Sequence, residues 1–161
     1  MFADGSFDFV LFSYNGIDYV SHDDRLKILQ EVRRVGKPGG YFCFSTHNLN
    51  SGAHLFELRR MISFNPRLAR RTKQRLELRF LHNRDVRAAT VRNSPYAVIN
   101  DGAHGYKLLT YYIRPLEQIA QLKENFTDIR VFSLATGGEI KDSSQLRSIE
   151  DAWLYYLCRM K

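Results

Sequence analysis

The chain opens with an almost unbroken apolar run, Phe7-Asp8-Phe9-Val10-Leu11-Phe12, which predicts a strand covered on both faces in a parallel sheet. Polar residues follow, until Leu26, Leu29 and Val32 recur at helical spacing behind Ser21. That serine is a ready N-cap, and Asp23 and Asp24 place negative charge in the first turn. Pro38-Gly39-Gly40 is expected to end the helix, and Tyr41 to Ser45 reads as a second strand. Strand, helix, strand is the crossover unit of α/β folds, so the two strands are expected to pair in parallel.

Beyond Asn48 the pattern loosens. Leu55, Leu58, Met61 and Ile62 predict a helix over Ala53 to Ile62, and Leu68 to Leu81 is expected to form a second one, dense in arginine. Asn93 to Gly105, with Pro95, Gly102 and Gly105, reads as loop. Regularity returns with a strand over Tyr106 to Ile113 and a helix over Leu116 to Asn125, begun by Arg114-Pro115. A strand over Ile129 to Ala135, a polar loop over Gly137 to Asp151 with a helical turn, and a final aromatic strand over Trp153 to Cys158 complete the chain. It contains no internal repeat.

At 161 residues, with 44% apolar and 13% aromatic side chains, the sequence suits one α/β domain with a real core. The net charge of +7 favours anionic partners. Much of it lies between Asn48 and Lys107, where Arg59, Arg60, Arg67, Arg70, Arg71, Arg75 and Arg79 outweigh Glu57 and Glu77. Residues 51–107 are therefore read as an insertion, with a solvated arginine face as the plain alternative to an anion site. Cys43 and Cys158 lack zinc-site spacing, so no metal is expected and a reducing, cytoplasmic setting is. No stretch approaches the roughly 20 apolar residues of a membrane span, and Met1-Phe2-Ala3-Asp4 does not read as the start of a signal peptide, so a soluble protein is expected.

Two stretches carry a resemblance: Phe2-Ala3-Asp4-Gly5-Ser6-Phe7-Asp8-Phe9-Val10, and Leu29-Gln30-Glu31-Val32-Arg33-Arg34-Val35-Gly36-Lys37-Pro38-Gly39-Gly40 leading into the strand at Tyr41. At this spacing they are similar to class I S-adenosylmethionine-dependent methyltransferases of the small-molecule, type 11 kind. The resemblance implies a Rossmann-like seven-stranded sheet in which Phe7 to Phe12 is strand four, Tyr41 to Ser45 strand five, Ile129 to Ala135 strand six and Trp153 to Cys158 the antiparallel strand seven. It implies S-adenosylmethionine as methyl donor and residues 51–107 as a lid that selects the acceptor. The sequence departs from the family at Gly36, where leucine is usual, and at Glu124-Asn125-Phe126, which lacks a glycine. It also has no G-x-G-x-x-G turn, so the cofactor-binding half is expected upstream, the chain to be a partial domain, and the open edge of strand four to invite self-association.

Open α/β sheets bind ligands at the carboxyl ends of their strands, which places Ser13, Tyr14 and Asn15 beside the cofactor, unless they form only a polar turn. At the end of the next strand His47 and Asn48 fall at the same edge. His47 is a candidate proton acceptor, as is His104, although a lone histidine is more often structural. Tyr19, His47, Asn48, His104, Tyr106 and Tyr111 are the candidate acceptor contacts, against the reading that strand tyrosines are core. His22 and His82 are expected at the surface. The acceptor is expected to be a small, anionic molecule. The competing functions are a basic polyanion- or RNA-binding scaffold, for which no RNA-binding motif is seen, and a non-catalytic partner subunit.

Overall fold

The computed structural model describes residues 2–57 and 69–161. Its elements in chain order are β1 (Phe7–Phe12), α1 (His22–Val35), β2 (Gly36–Asn48), α2 (Leu49–Gly52), α3 (Ala69–Glu77), α4 (Ala88–Asn93), β3 (Tyr96–Ile99), β4 (Thr110–Ile113), α5 (Pro115–Leu122), β5 (Phe126–Ser133), α6 (Ser143–Ser148) and β6 (Trp153–Met160). The fold is α/β around a mixed six-stranded sheet. β1 pairs with β2 in parallel, with Phe9 opposite Tyr41 and Phe12 opposite Phe44. β6 lies antiparallel between β2 and β5. At the far end of β2, His47 and Asn48 pair in parallel with Tyr112 and Ile113 of β4, and β3 joins β4 antiparallel.

The local chemistry accounts for the boundaries. Ser21 caps α1, its Oγ accepting from the Asp24 amide at 3.2 Å and donating to the Asp24 carboxylate at 2.8 Å. The helix ends at Val35, before the expected Pro38: Gly36 is a poor helix former, and Lys37 precedes a proline that disfavours the helical conformation. Gly36 also explains its own departure from leucine, because a Cβ there would lie 1.5 Å from Met160 Sδ. The thioether at the end of β6 fills the space.

Alternate residues of the sheet point to one side. Phe42 and Phe44 of β2 and Leu154, Tyr156 and Cys158 of β6 are buried with Leu29 and Val32 of α1, Leu122 of α5 and Leu146 of α6. On the other side Phe9 is 52% exposed and Leu11 55%, and Tyr41 and Tyr155 are also open. The expectation that β1 is covered on both faces is thus corrected, because α1, α5 and α6 all pack on the same side. Among the described residues no strand pairs with the outer edge of β1.

The segment after β2 has a second core of Leu49, Phe56, Val91, Ile99 and Tyr112. Arg114 clamps it to the sheet by donating to the carbonyls of Ser94, Val91 and Arg92 and to Asn50 Oδ1. The expected Asn93 to Gly105 loop contains β3, four residues too short to show alternation beside Pro95 and the glycines. The strand expected from Tyr106 starts at Thr110, since Ala103–Tyr106 form a tight turn with His104 and Tyr106 in left-handed conformations. In the described part of the helix expected over Ala53 to Ile62, Ala53–Phe56 form a 3-10 turn that follows α2. Leu58, Met61, Ile62, Leu68, Arg59, Arg60 and Arg67 lie outside the described residues. Among the described residues no helix is long and apolar enough to cross a membrane.

Candidate functional site

β1 and β2 run parallel and end side by side, so the turn after each meets at one edge of the sheet. In the first turn Tyr14 and Asn15 have φ of 53° and 55°. A left-handed conformation costs a side-chain-bearing residue roughly 1–2 kcal/mol, and asparagine tolerates it better than tyrosine. Tyr14 is 92% exposed, so no packing offsets its strain, and strain of this kind clusters at ligand sites. The turn is tied to β2 by the Asn15 amide, which donates to Ser45 Oγ at 3.0 Å.

Behind this turn lies a buried polar network centred on Asp18, which sequence reasoning missed. Asp18 and Arg25 are both fully buried and paired at 2.6 Å. Three donors and an imidazole nitrogen converge on the carboxylate. Arg25 and the Thr46 hydroxyl, each at 2.6 Å, bind Oδ1, and the His47 amide at 2.7 Å and the His47 ring at 2.8 Å bind Oδ2. Arg25 also donates to the Ile17 carbonyl, Thr46 Oγ1 and Gln118 Oε1, and lies 4.7 Å over the Tyr111 ring. Leaving either charge buried without the other costs about 3–5 kcal/mol, so the pair fixes the β1–α1 connection to the end of β2.

The network holds His47. Its Nδ1 faces Asp18, its Nε2 lies 3.4 Å from Asn15 Nδ2, and its ring packs at 4.8 Å from Tyr112 and 6.1 Å from Trp153. Only 12% of the side chain reaches solvent. Two clefts flank it. One, of about 320 Å³, is lined by Ser13, Tyr14, Asn15, Cys43, Ser45 and Trp153. The other, of about 570 Å³, is lined by Gly52, His54, Arg75, Leu78, Asp101 and Tyr112. Trp153 and Asn15 of the first and Tyr112 of the second all touch the imidazole. Gly52 allows this, because a Cβ on it would lie 2.5 Å from the Tyr112 ring. The Tyr112 hydroxyl donates to Asp101 at 3.1 Å, and burial, followed by the Asp101 charge, holds its pKa far above the usual tyrosine range. Burial and the same aspartate raise Tyr19 as well.

Of the other residues singled out in the sequence, His104 is exposed and meets Tyr19 edge-on at 5.4 Å, while Tyr106 stacks on His82. Tyr111 is sealed in the interior, its hydroxyl 2.9 Å from His22 Nδ1 and its pKa pushed up to about 12 by burial. His22, expected at the surface, is half-buried and stacked on Tyr96 at 4.2 Å, because β3 closes over the start of α1. Asn48 is occupied structurally, its amide donating to the carbonyls of Ile149 and Asp151 and its oxygen accepting from Asn50. A signal for the missed network was present: Arg25 stands four residues before Leu29 and seven before Val32, a charge on the buried stripe of α1.

Residues 1–44 match the family model described as methyltransferase domain. Among curated proteins none matches the sequence significantly. Among solved structures, a SAM-dependent methyltransferase from Methanosarcina mazei aligns with a TM-score of 0.52 at 18% identity, over 99% of this chain and 61% of its own. A Thermotoga maritima SAM-dependent methyltransferase, described as a possible histamine N-methyltransferase, gives 0.52 at 18% over 99% and 58%. A Mesorhizobium loti S-adenosylmethionine-dependent methyltransferase gives 0.51 at 15% over 98% and 63%. The chain therefore spans about three fifths of the length of these structures. Over its first 44 residues in sequence, and along its whole length in fold, the chain resembles the class I, type 11-like S-adenosylmethionine-dependent methyltransferases.

Proposed function

We propose that this chain carries the acceptor side of a methyltransferase that uses S-adenosylmethionine and a small-molecule acceptor, with Ser13, Tyr14 and Asn15 beside the donor. One observation carries the reading: the strained Tyr14-Asn15 turn and His47 meet at the carboxyl edge of the sheet, between two clefts. The residues present fit one end of the donor, since Asn15 Oδ1 is buried without a hydrogen-bond partner and Asn15 lines the smaller cleft. The donor, when bound, supplies a methyl group on a positively charged sulfur. The chain's own part is to hold the acceptor in line and to exclude water, for which Tyr112, Trp153 and the segment after β2 are placed.

In this reading β1, β2, β5 and β6 correspond to strands four to seven of the family's sheet, and residues 51–107 form the insertion that shapes the acceptor cleft. The exposed face holding Phe9 and Leu11 and the edge of β1, unpaired among the described residues, are then the surfaces that the rest of such a sheet, or a second copy, would cover. Calorimetric titration with S-adenosylhomocysteine tests the donor site. Binding with Kd of about a millimolar or tighter, worth at least ~4 kcal/mol, is expected, with loss in Asn15→Leu. A folded chain that releases no heat with this compound contradicts the reading.

A further inference from the structure

Asp18 and His47 form a pair whose geometry settles where the imidazole proton sits. Arg25, the Thr46 hydroxyl and the His47 backbone amide already donate to the two oxygens of Asp18, an arrangement that needs the acceptor-only carboxylate anion. The ring nitrogen facing it at 2.8 Å must therefore carry a hydrogen. That leaves Nε2 with its lone pair, facing the Asn15 amide at the wall of the smaller cleft. The Asn15 contact is long at 3.4 Å, while Asn15 Oδ1, the other half of the same amide, is buried with no partner. A group that gained a proton at Nε2 would find that partner by a half-turn of the amide.

We infer that His47 is a general base toward a protic acceptor, with Asp18 as the residue that positions it and Asn15 as the amide that answers its protonation. This deepens the methyltransferase reading and rests on it for the identity of the electrophile. As the acceptor oxygen or nitrogen forms its bond to the methyl carbon, its proton passes to His47 Nε2, and the electron pair of the breaking carbon–sulfur bond stays on sulfur. The imidazolium that results is held between the Asp18 anion at Nδ1 and the turned Asn15 oxygen at Nε2. The acceptor class is a hydroxyl or an amine that still bears hydrogen, and a tertiary amine has nothing to give this base.

The charged and titratable groups around His47 agree with the assignment. Asp18 faces it from the β1–α1 connection, with Arg25 of α1 behind that carboxylate. Tyr112 of β4 packs against the ring, and Asp101 reaches it only through the Tyr112 hydroxyl. Trp153 of β6 brings no charge. Among the described residues Asp18 is therefore the one anion in direct contact, and it lies on the side away from Nε2.

Nitrogen-15 NMR of the whole chain tests the pair without any donor. The His47 signal, identified by its loss in His47→Gln, is expected to show hydrogen on Nδ1 and a bare Nε2, and the Asn15 side-chain amide is expected to shift with the same pH midpoint as that ring. Hydrogen on Nε2, or an amide indifferent to the titration, overturns the inference. Asp18→Asn is expected to scramble the tautomer, and Thr46→Val, which removes one donor and keeps the ion pair, is expected to leave it intact should the first variant unfold. In turnover, radiolabelled S-adenosylmethionine is offered to a panel of phenols, alcohols, primary amines and tertiary amines. Label is expected only in members with O–H or N–H, and His47→Gln is expected to lower kcat roughly 10²–10⁴-fold while leaving S-adenosylhomocysteine affinity within twofold. An undiminished rate in that variant, or labelling of a tertiary amine at the same rate, overturns it. The expected tautomer in a chain that binds no S-adenosylhomocysteine would leave the base in place and remove the methyltransferase.

Discussion

On one face of the β1–β2–β6–β5 sheet, Phe42, Phe44, Tyr156 and Cys158 are buried under α1, α5 and α6, while on the other Phe9, Leu11, Tyr41 and Tyr155 stand open. The two faces are similar in the sequence, since β1 is apolar at five of its six positions. Helices alone distinguish them. A sheet face of this composition is unfavourable in water, roughly 25 cal/mol for each Å² of apolar surface left uncovered, and contiguous patches of this kind mark interaction surfaces. The bare face is thus a surface with an unmet demand, and the covered face is where the stability resides.

Truncation separates them most sharply. Phe44→Ala, on the covered face, is expected to cost about 3–5 kcal/mol in urea unfolding, and an equal cost for an alanine at Phe9 would erase the distinction. The two cysteines give a gentler test, because Cys158 belongs to the covered core and Cys43 lines the cleft on the open side. Burial raises both thiols and pushes Cys158 up to about 12, so at pH 8 only about one Cys158 in ten thousand is the reactive thiolate. A maleimide is expected to label Cys43 at least about a hundredfold faster, both rates rising with pH as thiolate forms. Comparable rates would place the cysteines in similar environments. Leu11→Lys puts a charge at the open edge strand and is expected to reduce concentration-dependent association in sedimentation without loss of the circular dichroism spectrum. The smallest effect belongs to Phe9→Ser, expected within about 0.5 kcal/mol of the parent in urea.

The elements with strong periodicity were legible. β1 falls on the expected residues, the Ser21 cap starts α1, and Pro115 opens α5. The segment between β2 and β4 was not, because its structure depends on long-range partners: Tyr96–Ile99 is a strand through pairing with β4, and Arg114 holds the α4 end through carbonyls that no local pattern announces. In the site, His47 and Asn15 were visible as polar residues at strand ends, and the structure brings them together. Asp18 carried no comparable signal. Its importance comes from Arg25, seven residues on and buried by packing against Tyr111 and Gln118, which lie far along the chain. Asn48 and Tyr111 show the converse, polar and aromatic residues well placed in sequence whose hydrogen-bonding groups are taken up by the fold itself.

The central claim is that the turn of Ser13 to Asn15, beside His47, receives the sulfur end of a methyl donor. Backbone NMR of the labelled chain, titrated with S-adenosylhomocysteine, tests it most directly. Shifts concentrated at residues 13–15 and 45–47, saturating together, are predicted; shifts confined to other parts of the chain, or none at millimolar concentration, would contradict it.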